Sequence, residues 1–156
     1  MKLKLWQKNA LSMLTIVVIG FIIFNVAFIL AWLVSTAYSM AIMPFAKQGD
    51  GNLGMIHSLW HYVYLILIIL LSWFVLRLRL NDLVKATFLT LPLVVVLAEV
   101  GVQFYTLPVL VYVISALIIA TILFYLYKTK HSWLYYFATL YVAVVMLCVM
   151  LSGMQI

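Results

Sequence analysis

The chain has 156 residues, of which 69% are hydrophobic and only 8% charged, with a formal net charge of +6. A water-soluble domain carries roughly half apolar and about a quarter charged residues, so a soluble fold of this length could not hide so much apolar surface. The basic residues stand in short clusters between long apolar runs and form no continuous basic face to track phosphates, which excludes nucleic acid as a partner. The lone Cys148 excludes an internal disulfide.

A membrane-spanning helix needs roughly 20 apolar residues. The first apolar run extends from Leu11 to Met43, broken only by Asn25 and the polar patch Ser35–Ser39. It is too long for one crossing of hydrocarbon, so a span over 11–34 is expected, followed by a helical extension or interfacial segment to Pro44. The segment Phe45–Asn52, rich in Gly, Asn and Asp, reads as a breaker. A second span is expected over 57–76, stopping at Arg77 and Arg79. A third follows over 83–104, with Asn81 or Asp82 placed to cap it. The fourth covers 108–127, with Pro108 in the first turn where its missing N–H costs nothing. The fifth covers 132–151. The expected fold is therefore all-α: a single integral membrane domain over residues 1–156, a polytopic bundle of five transmembrane helices.

Orientation follows from the basic residues. With the N-terminus inside, Lys2, Lys4, Lys8, Arg77, Arg79, Lys85, Lys128 and Lys130 all lie in cytoplasmic segments and only Lys47 lies outside. That imbalance places the N-terminus in the cytoplasm and the C-terminus outside. Trp6, Trp73 and Trp133 then fall near the inner interface, and Trp32 and Trp60 near the outer one. The compact loops favour a bacterial cytoplasmic membrane. The basic N-terminus and apolar run also resemble a signal peptide, with small residues at Ser35-Thr36-Ala37, but the run is about twice the usual 7–15-residue apolar region.

Ionisable residues inside a bilayer are costly, so each marks a site by default. Glu99 lies five or six residues from the outer end of the third span, about 8–9 Å below that interface. His57 and His61 are four residues apart at the outer end of the second span, on one helical face, with His61 roughly 6 Å in. Gln103 lies one turn beyond Glu99. If the second and third helices are neighbours, His57, His61, Glu99 and Gln103 form one polar constellation at one depth. It could serve as a ligand site or a proton or cation relay. A divalent metal could instead take His57, His61 and Glu99, leaving an open position for catalysis. Met40, Met43, Met55, Met150 and Met154, with Cys148, gather on the same side, and thioether and thiol donors suit copper(I). Methionine is also an ordinary filler of apolar gaps.

Asn25, Ser72, Thr87, Thr90 and Thr121 are expected to bond across helices or to their own backbone, and Gly20 to permit a close helix approach. Catalytic Ser-His-Asp sets and phosphate-cradling loops are missing from the sequence. The function expected is that of a small multi-pass protein: an accessory subunit beside a membrane partner or in a homo-oligomer, or a module binding or carrying a small apolar or cationic ligand. The alternative is a membrane metalloenzyme with an outer-face His/Glu site.

Overall fold

The computed structural model describes residues 4–46 and 59–152, with side chains for 4–42 and 59–152. Among them are five helices and no strand: α1 (Leu5–Ala46), α2 (Trp60–Arg77), α3 (Asp82–Gln103), α4 (Pro108–Lys128) and α5 (Trp133–Leu151). Each is long and apolar enough to cross a membrane. The four later helices agree with the expected spans to within a few residues. The first begins at Leu5, earlier than expected, and of the two continuations expected beyond 34 it takes the helical extension, running through the Ser35–Ser39 patch. A hydroxyl there can satisfy itself within a helix: Thr36 Oγ1 donates to the Trp32 carbonyl at 2.8 Å.

The local chemistry accounts for the breaks. At the end of α2 the chain turns extended at Leu78, whose N–H donates to the Val75 carbonyl. Asn81 occupies the position before α3 in an extended conformation, and its side chain makes no capping bond. Asp82 stands in the first turn, where a carboxylate complements the positive end of the helix dipole. Pro108 opens α4. Between α4 and α5 the chain reverses at Lys130, which takes the left-handed conformation (φ 50°), while the His131 N–H donates back to the Leu126 carbonyl.

Helix α3 is the hub, packed against each of the other four. Three buried clusters follow it along its length. The first joins Ile16 of α1, Ala86 of α3, Leu126 of α4 and Tyr135 and Ala138 of α5. The second joins Ala27 of α1 and Tyr64 and Ile68 of α2 to Leu91 and Val95. The third joins Leu93, Val94 and Leu97 to Val142 and Met146 of α5. The start of α3 thus meets the start of α5 and the end of α4, as alternating antiparallel helices require. Lys4, Lys8, Arg77, Arg79, Lys85, Lys128 and Lys130 accordingly sit at one end of the bundle, the basic end. The exterior carries large apolar side chains, among them Phe21, Leu70, Phe74, Leu117 and Phe124. Such a surface suits lipid and not water.

Two tyrosine hydroxyls tie helices together. Tyr64 donates to the Ala27 carbonyl at 2.8 Å, joining α2 to α1, and Tyr141 donates to the Val17 carbonyl at 3.3 Å, joining α5 to α1. Hydrogen bonds between helices in a membrane are worth about 0.6 kcal/mol on average. Tyr64→Phe is therefore expected to cost about 0.6–1.7 kcal/mol, read as a lowered midpoint of unfolding in mixed micelles. An unchanged midpoint would show that the bond contributes nothing.

Candidate functional site

Far from the basic end, the first turn of α2 faces the last turns of α3. His61 Nδ1 and Glu99 Oε1 share a hydrogen bond at 2.9 Å. The side chains are 26% and 13% exposed, so the pair is largely withdrawn from its surroundings. One proton lies between them, in N–H···O or O–H···N form. The Trp60 ring lies against the His61 ring, with centroids 3.8 Å apart and planes tilted by 32°.

The pair stands at a half-open cavity of about 420 Å³ between α1, α2 and α3. Ala27, Ala31 and Ala98 are small enough to leave the space open; Tyr64, Val94, Val95 and Val102 complete much of its wall. Phe28, which also lines it, is 47% exposed and so forms its rim towards the exterior. The lining is apolar apart from the His–Glu pair, Trp60 with its indole N–H, and the Tyr64 hydroxyl, which already donates to Ala27. Glu99 Oε2 is different. It is buried and has no hydrogen-bond partner among the described residues. A buried carboxyl oxygen without a hydrogen-bond partner is costly.

Of the four residues expected to converge, His61 and Glu99 do. Gln103 does not: it is the last residue of α3, exposed, and is absent from the cavity wall. Four residues of helix turn its side chain about 40° away from Glu99, enough to leave the groove once the helix ends. His57 lies outside the described residues, and with it the third ligand of the expected metal site. Among the described residues no group of three His, Cys, Asp or Glu side chains is assembled for a metal. Of the soft donors, Cys148 and Met40 are exposed, while Met55, Met154 and the Met43 side chain lie outside the described residues.

The remaining polar residues behave largely as expected. Asn25, Thr87 and Thr121 donate to the carbonyls of Phe21, Leu83 and Leu117, one turn back, and Thr90 donates to Thr87. Ser72 Oγ is buried with no partner among the described residues. Tyr64 and Trp60 were not singled out as site residues in the sequence. Their signal was available: both lie within one turn of His61 on the same helix.

Fold and site together define a helical bundle of membrane type with a polar pair set in an apolar cavity. No family model, curated protein or solved structure matches this chain.

Proposed function

We propose that the protein is an integral membrane module that binds a small amphipathic ligand through a hydrogen-bond-donating head, with its N-terminus in the cytoplasm and the cavity on the outer side of a bacterial cytoplasmic membrane. The observation that carries this reading is the unpartnered Glu99 Oε2 in the wall of an apolar cavity. An apolar pocket with a few convergent polar groups is the usual form of a small-molecule site. The clustering of basic residues at the opposite end supports the orientation. An amine or hydroxyl head would donate to Oε2 while His61 keeps Oε1 in place. Ala27, Ala31 and Val95 would contact the apolar body.

Glu99→Gln tests this. Glutamine can retain the bond to His61 through its carbonyl, but it then turns an NH₂ donor towards the cavity. The probe is hexylamine, added to protein in lipid nanodiscs. The readout is the emission of Trp60 in a variant whose other four tryptophans are phenylalanine. The expected response is saturable, absent with hexyltrimethylammonium (same chain, no N–H), and at least about tenfold weaker in Glu99→Gln, since a bond to a charged or strongly polar group is worth about 1.5–3 kcal/mol. Equal responses to both amines, or indifference to Glu99→Gln, would rule the reading out.

One observation favours an accessory role alongside binding. Asn25 is exposed near the middle of α1, on the side opposite the buried Ala27 and Ile16, and its amide donates only to its own helix. A polar group at that depth is well covered by a neighbouring helix, from a partner protein or a second copy.

A further inference from the structure

A second cavity, of about 250 Å³, lies deeper in the bundle between α1, α3 and α5. Gly20 and Phe24 of α1, Thr90 and Val94 of α3, and Tyr141 and Val145 of α5 are in its wall. Val94 also lines the first cavity. Val94 is therefore the wall between the two spaces. On α1 the wall passes from one to the other through two rings one turn apart. Phe28 lines the first cavity and Phe24 the second, packed edge to face with centroids 4.9 Å apart.

The chemistry of the second space is that of a hydrocarbon chain. Its two hydroxyls are already committed, Thr90 to the Thr87 carbonyl and Tyr141 to the Val17 carbonyl. Nothing else polar faces it; a water could only donate to those two oxygens and would find no donor, so an apolar occupant is favoured. An apolar cavity of about 150 Å³ suffices for benzene, so this one has room for a longer aliphatic segment. Gly20 makes the floor possible: a Cβ there would stand 3.1 Å from Tyr141 Cε1. From Glu99 down α3 to Thr90 the rise is about 14 Å.

We propose that the two cavities form one site for a single-chain lipid, with a donor head at Glu99 and its chain lying past Val94 into the space beside Gly20 and Val145. This rests on the binding reading above and names its ligand class. Surrounding lipid is as apolar as the cavity, so the chain gains little by leaving the bilayer. Affinity therefore comes from the head, and a chain that has to pass the buried Val94 is better straight than branched or double.

The experiment uses a primary alkylamine with a diazirine at its far end, of extended length about 14 Å to match the rise from Glu99 to Thr90. It is photolysed with the full-length protein in nanodiscs, and the labelled residues are mapped by mass spectrometry. Label is expected on the Tyr141–Val149 stretch of α5 and near Gly20. It should fall at least about tenfold in Glu99→Gln and disappear in Val145→Phe, which fills the lower space. Val149→Phe, lining the same space, serves if Val145→Phe does not fold. Label on α5 that is undiminished in Glu99→Gln reports bulk lipid in the groove and overturns the proposal. Glu99-dependent label confined to Phe28, Trp60 and Ala98 also overturns it, yet leaves the head site standing. Loss of the hexylamine response as well would remove the head site itself.

Discussion

Ala138→Leu is expected to destabilise the folded bundle by about 3 kcal/mol. Ala138 of α5 and Ala86 of α3 are both 0% exposed and share a cluster with Ile16, Leu126 and Tyr135. In a bilayer no hydrophobic force draws one helix to another, so close packing of small residues has to hold them together. Two alanines at one contact let the backbones of α3 and α5 approach closely. Three further carbons at Ala138 have no void to enter, and part of what surrounds them is helix backbone, which cannot change rotamer. The helices must part, and the contacts of Tyr135 and Ile16 loosen with them. The check is the unfolding midpoint in mixed micelles, set against Val144→Leu on the exposed side of the same helix, which should stay within about 0.5 kcal/mol of the parent. Matching midpoints for the two variants would show that the alanines do not set the spacing.

Leu97→Ala is expected to cost about 2 kcal/mol, the low end of the range for such truncations in soluble proteins. Leu97 is 1% exposed, among Leu93, Val94, Val142 and Met146. In water, Leu→Ala loses both the transfer of the side chain out of water and the packing around the void. Here the unfolded helix keeps its side chain in lipid, so the transfer part nearly vanishes and the void remains. Leu147→Ala, at a position 50% exposed on α5, creates no internal void and should be close to neutral. If both truncations cost the same, burial within the bundle is not what stabilises α3.

Much of the fold was legible because a spanning helix declares itself by length and composition. The Arg77–Asn81 and Lys128–His131 connections are polar interruptions that no apolar helix would carry. What composition leaves open is whether α1 continues as helix beyond residue 34. Ser35, Thr36 and Ser39 resemble an end in sequence, whereas a hydroxyl bonded to the preceding turn is compatible with continuation. The approach of His61 to Glu99 followed from depth alone, since two consecutive helices with polar residues at the same level have one place to bury them. The error over Gln103 was one of rotation, which depth does not encode. The lower cavity was hidden for a further reason. It needs Gly20, Val94 and Tyr141 to converge from three helices, and Gly20 alone hinted at a close approach. No pattern in the sequence marks Tyr64 or Tyr141. Their cross-helix bonds depend on which backbone carbonyl lies opposite.

The bond from Tyr141 to the Val17 carbonyl spans 124 residues. Helix α1, made before α5, is therefore completed only by it. Until α5 arrives, the flank of α1 around Gly20 has no α5 partner, and α3 lacks the neighbour that buries Leu97. Local contacts between successive helices can form as each pair enters the membrane, but this closure must wait for α5. A bundle without α5 leaves its central seam, along Leu97 and Gly20, open to lipid. Assembly and site formation are then one event, because the space beside Gly20 does not exist until Tyr141 and Val145 form its far wall.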